Sequence, residues 1–97
     1  MYATALIRYR KPFPEVEPFV APHREYLRAL NAAGILLASG PMEPRTGGVL
    51  LLRVPDDDVL GALDRVRDGD PFTHAGVAQY ELIAWSPVIG AEALEKL

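Results

Sequence analysis

The apolar positions of this chain change period several times, and each change marks an element. Tyr2 to Arg10 is rich in β-forming residues and lacks helical spacing, so it reads as a strand. Lys11-Pro12-Phe13-Pro14 ends it, because proline supplies no ladder donor and fixes φ. Val16, Val20, His23, Leu27, Leu30 and Gly34 then recur at steps of four and three, the signature of one helix face. The spacing predicts a helix from Pro22, where a missing N–H costs nothing, to Ala33, with Gly34 as a left-handed cap. Glu15 to Phe19 reads as a separate helical turn.

Two short apolar runs follow, Ile35 to Ser39 and Val49 to Val54, stopped by Gly40-Pro41 and Pro55. The seven residues between them, Met42 to Gly48, have loop chemistry and suit a hairpin. Asp56-Asp57-Asp58 opens a second helix by offering a capping carboxylate at the positive end of its dipole. Val59, Leu63 and Val66 supply its buried face, and Gly69 stops it. Val77 to Trp85 is the last strand. The order β-α-β-β-α-β specifies an α+β, ferredoxin-like domain over residues 1–90: a four-stranded antiparallel sheet with two helices on one face. Residues 91–97 form a C-terminal tail, able to pack on the sheet or wrap a partner.

The strands are apolar on both sides. Val49 and Leu51 point one way and Leu50, Leu52 and Val54 the other; Tyr80 and Leu82 oppose Ile83 and Trp85. Two helices cover one sheet face only, and an open apolar face of this size calls for a cover. A second copy of the chain about a two-fold axis supplies it, which predicts a homodimer through the open sheet face. The competing cover is the chain's own tail.

Composition removes several classes of function. The chain has 97 residues, 10 basic and 13 acidic, for a net charge of −3, and its basic residues form no stripe, which argues against nucleic-acid binding. It has no cysteine, so a disulfide framework, a thiolate metal site and a Cys nucleophile are excluded. The first residues do not resemble a signal peptide, and no apolar run approaches the roughly 20 residues needed to span a bilayer. The expectation is a cytoplasmic protein without membrane partners.

His23 leads the candidates for chemistry, since it sits on the apolar face of the first helix and histidine is the usual acid/base group. A partly buried histidine satisfied by backbone is the structural alternative. Asp70 precedes Pro71, which holds it extended; it can cap a helix that starts at proline and still orient an imidazole. Ser39-Gly40-Pro41 and Arg45-Thr46-Gly47-Gly48 come next, because glycines let backbone N–H groups approach an anion and Arg45 can clamp a carboxylate. Ordinary hairpin turn residues explain the same stretches. His74 reads as solvent-facing, and the spacing of His23, Asp70 and His74 does not favour a metal triad.

The ordered runs Pro22-His23-Arg24-Glu25-Tyr26-Leu27, Gly34 to Pro41, Pro44-Arg45-Thr46-Gly47-Gly48-Val49 and Asp70-Pro71-Phe72-x-x-Ala75-Gly76 resemble the YciI-like (YCII-related) family, and they cover most of residues 2–90. The resemblance implies a ferredoxin-like dimer related to the dimeric α+β barrels. It also implies a site built on a His and an Asp, which map onto His23 and Asp70. One branch of that family removes chloride from a chlorinated hydroxyquinone; related barrels include lactone isomerases and small monooxygenases. Many members carry an Arg three residues before the His. Here that residue is Val20, which points to a different ligand or to the use of Arg24 or Arg45 instead.

The function expected from these readings is a cofactor-independent enzyme, of lyase, isomerase or hydrolase type, without a metal. It would act on a small cyclic or aromatic acid or a quinone-like compound. His23 would move a proton, Asp70 would orient it, Ser39, Gly40, Pro41 and Arg45 would hold the ligand, and Phe72 would wall the site. The alternative from another class is a dimeric module that binds a small molecule or a partner without turnover.

Overall fold

A computed structural model describes residues 1–97. Strands β1 (Tyr2–Tyr9), β2 (Leu36–Pro41), β3 (Gly47–Arg53) and β4 (Ala78–Trp85) form one antiparallel sheet in the order β2-β3-β1-β4. The ferredoxin-like α+β architecture is therefore the one adopted. Ala3, Ala5 and Ile7 of β1 and Leu50 and Leu52 of β3 point to the same face and are fully buried. Strand alternation puts them there, and helices α2 (Val20–Ala32) and α3 (Val59–Gly69) cover them with Leu27, Ala62, Leu63 and Val66.

The first helix begins earlier than the sequence spacing predicts. Helix α1 (Phe13–Val16) and a 3₁₀ turn (Glu17–Phe19) run straight into α2, so Pro22 is the third residue of α2 rather than its first. Pro22 still costs nothing there, because the first turn of a helix has no internal acceptor for its N–H groups. Gly34, with φ of 80°, is the left-handed stop. Asp58 occupies the start of α3 without capping it by its side chain; its carboxylate instead pairs with Arg65 at 2.9 Å.

Asp70 to Gly76 departs most from a simple loop. Pro71–Ala75 forms a short helix, α4, with Asp70 as its cap: the carboxylate accepts the Phe72 N–H at 2.9 Å. Pro71 opens the helix and Gly76, with φ of 69°, closes it. Each of its ends is thus set by one residue whose chemistry requires it.

Gly47 has a steric reason to be glycine. A Cβ there would lie 1.7 Å from the Ile7 carbonyl oxygen, so the close approach of β3 to β1 depends on its absence. At Gly40 a Cβ would meet nothing within 4 Å.

The opposite face of the sheet carries Thr4, Leu6, Leu51, Val49, Ile83 and Trp85 by register. Helix α5 (Ala91–Glu95) is fastened at one end of that face only: the Tyr2 hydroxyl donates to Glu95 at 3.0 Å and Arg53 to the Leu94 carbonyl at 3.1 Å. Val49, Ile83 and Trp85 keep exposures of 37, 39 and 42 %. No helix is long and apolar enough to cross a membrane.

Candidate active site

Three elements meet at one carboxylate. Asp70 is fully buried, with no Lys or Arg beside it, so donors must stabilise its charge. Oδ1 accepts the Phe72 N–H of its own helix. The Tyr80 hydroxyl, reaching in from β4, donates to Oδ2. Nδ1 of His23, on α2, lies 2.9 Å from both oxygens. Since the carboxylate accepts from every other partner, the nitrogen that faces it is the one that carries hydrogen.

The His23 ring is fixed in two directions. Its plane stacks on Phe72 with centroids 3.9 Å apart and 9° between planes. Phe72 meets Tyr9 edge-on at 5.9 Å, and Tyr9 meets Phe13 at 6.0 Å, so the stack continues as an aromatic ladder to α1. Nδ1 is held by Asp70, and Nε2 has no protein partner and is not among the buried polar atoms left unsatisfied. Nε2 is therefore the accessible nitrogen of the ring.

His23 lines a cavity of about 380 Å³. Ser39, Gly40, Pro41, Arg45 and Phe72, named from the sequence, line the same cavity, together with Arg24 and Arg28 from α2. Asp70 does not line it: it is fully buried and meets the His23 ring at Nδ1. Phe72 serves both as core, at 2 % exposure, and as cavity wall. His74 is exposed and its Nε2 meets the Asp68 carbonyl, apart from the other two. Val20 also lines the cavity.

Tyr80 is a site residue that the sequence spacing does not single out. Alternation sets it with Leu82 on one side of its strand, the structure turns that side to the core, and a phenol there needs a partner for its O–H. That requirement, set beside an aspartate with no basic neighbour, is the signal that connects them. Burial pushes the Tyr80 phenol far above the usual tyrosine range, and the charge of Asp70 and the hydrogen bond to it push further. Tyr26, whose hydroxyl donates to the Val66 carbonyl at 2.7 Å, is also raised, by burial first and then by Asp70 and Asp68.

Comparison with known proteins agrees with this architecture. The model of the YCII-related domain matches residues 1–86. Among solved structures, the chain is similar to a 5-chloro-2-hydroxyhydroquinone dehydrochlorinase from Burkholderia phenoliruptrix AC1100, in complex with 2,5-dihydroxybenzoquinone. The TM-score is 0.76 at 21 % identity, over 92 % of this chain and 97 % of that one. No curated protein matches the chain.

The raised Tyr80 phenol predicts alkaline destabilisation. Below about pH 10 the phenol is neutral in folded and unfolded chains alike, and its contribution is whole. Above that, the unfolded chain loses the proton while the folded one keeps it, so stability falls as pH rises. Denaturant midpoints measured from about pH 9 to pH 12 should fall by the equivalent of about 1 kcal/mol per pH unit for this group. In Tyr80→Phe the fall becomes shallower, and stability at neutral pH drops by about 1–2 kcal/mol. An unchanged alkaline slope in the variant would contradict the assignment.

Proposed function

The chain belongs to the YCII-related family, and from that premise we propose that it is a cofactor-independent enzyme of lyase, isomerase or hydrolase type acting on a small cyclic or aromatic acid or quinone-like compound. The observation that carries this reading is the polarity of His23: Nδ1 is bound to a sealed carboxylate, Nε2 is left accessible, and the residue lines a cavity. An imidazole so held is a general base at Nε2, and Asp70 stabilises the imidazolium formed when it takes a proton. A proton drawn from a ligand hydroxyl lets its electron pair expel a leaving anion, which is elimination. Returned to a ring carbon instead of the oxygen, the same proton gives enol-to-keto isomerisation; drawn from water whose oxygen attacks the ligand and displaces a leaving group, it gives hydrolysis. Ser39 and the backbone N–H of Gly40, with Arg45, would receive the developing negative charge. The solved relative's ligand, a dihydroxybenzoquinone, belongs to the size class that a cavity of this volume admits.

The protein is proposed to act as a homodimer through the open sheet face, since Val49, Ile83 and Trp85 form an apolar surface that α5 leaves uncovered.

Two experiments test these statements. Cofactor-free incubation with substituted chlorohydroquinones and aromatic acids, followed by absorbance and chloride release, should reveal turnover that His23→Gln reduces by about 10²–10⁴; turnover surviving unchanged in that variant would overturn the base assignment. In light scattering, the wild type should have twice the mass of the chain and Ile83→Glu the mass of one, because a charge opposite its own symmetry mate would be buried without a partner. A wild-type monomer contradicts the dimer.

A further inference from the structure

The cavity beside His23 carries positive charge that the protein pairs only in part. Arg24, Arg28 and Arg45 line it, and not one Asp or Glu does, in a chain whose net charge is −3. Arg28 has Glu25 at 3.4 Å as an exposed neighbour. Arg24 and Arg45 have no carboxylate partner; the ion pairs of the chain involve other basic groups. The guanidinium of Arg45 lies over the Phe13 ring, 4.9 Å from its centroid, a contact that positions its plane while using none of its N–H groups. The buried anion beside His23 is already engaged: Asp70 accepts from Phe72, His23 and Tyr80 and does not reach the cavity.

Much of the remaining lining is apolar and partly aromatic, beside Asn31, Ser39 and three glycines. Val20, Leu27, Leu50 and Phe72 contribute to it, so unpaired guanidinium groups and a wall suited to a ring share one cavity. A guanidinium presents N–H groups in a fork that matches a carboxylate, and such charge-assisted pairs are stronger than neutral ones. A neutral ligand would leave both guanidinium groups, which belong to exposed residues, to water and offer them no counter-charge.

We propose that this cavity selects small aromatic or alicyclic carboxylates, with Arg24 and Arg45 receiving the carboxylate and the wall beside Phe72 receiving the ring. The proposal rests on the reading of the His23 cavity as the ligand site, and it narrows the ligand from acids and quinone-like compounds alike to acids. Arg24 is thereby a specificity-determining residue that neither the histidine–aspartate geometry nor the hairpin glycines would have picked out.

Calorimetric titration of the whole protein at neutral pH tests this, with benzoate and 4-hydroxybenzoate as acids and 4-hydroxybenzamide and hydroquinone as neutral counterparts. The acids should bind at least about tenfold more tightly than the neutral compounds. Arg24→Gln with Arg45→Gln should remove that margin without lowering the melting temperature, because both side chains belong to exposed residues. Lysine at the same positions should keep part of it, retaining the charge without the fork. Equal binding of acid and amide, a margin that survives in the double glutamine variant, or binding of neither class would each overturn the proposal. His23→Gln, run alongside, separates this from the catalytic reading. A carboxylate margin without any turnover leaves the acid site standing and removes the enzyme. Turnover of neutral hydroquinones with no carboxylate margin does the reverse.

Discussion

A buried carboxylate without a cation beside it is costly, by several kcal/mol unless donors surround it. Asp70 is such a group, and the way its donors are gathered organises this end of the molecule. One comes from the first turn of α4, one from the middle of β4 and one from α2. The same oxygens therefore cap a helix, bind it to the sheet and hold the histidine. Loss of any donor would leave charge unsatisfied in the interior, so the geometry around His23 is defended by the stability of the fold itself.

That arrangement separates two tasks within a few ångströms. Behind the His23 ring lies a closed acceptor that fixes which nitrogen carries hydrogen; in front lies a cavity whose charge is positive. Phe72 touches both, donating its N–H to Asp70, fixing the ring plane by stacking at 3.9 Å and lining the cavity. The negative charge in the core and the unpaired guanidinium groups at the cavity do not cancel each other, because Asp70 is spent on its own donors. The cavity presents the arginines and His23, not the aspartate.

Much of this was legible in the sequence where a residue's chemistry leaves few choices. The alternation in β3 separated Leu50 and Leu52 from Val49 and Leu51, and the register places them on opposite faces as that alternation requires. The spacing through Val16, Val20, His23 and Leu27 placed the histidine on the inward side of its helix, although the helix starts two residues before Pro22. Asp70-Pro71 signalled a cap, and the cap is made. What escaped was what depends on distance along the chain. A helix of five residues, α4, is too short to show a period. Asp58 had the type and place of a cap, but Arg65 one helical face away competes for it. Tyr80 is ten residues from Asp70, and its partner is fixed only by the pairing of β4 with β1. Arg24 and Arg45 come together at one cavity because α2 packs over β2, which no local pattern reports.

The central claim is that Asp70 fixes the proton of His23 on Nδ1 and leaves Nε2 as a bare base at the cavity. Long-range ¹H–¹⁵N NMR of the His23 ring, in the wild type and in Asp70→Asn, tests it most directly. The account predicts that the neutral ring of the wild type carries its hydrogen on Nδ1. In Asp70→Asn, where an amide N–H replaces one acceptor oxygen, the hydrogen should move to Nε2. A wild-type ring protonated on Nε2, or a ring whose form is the same in both proteins, would contradict it.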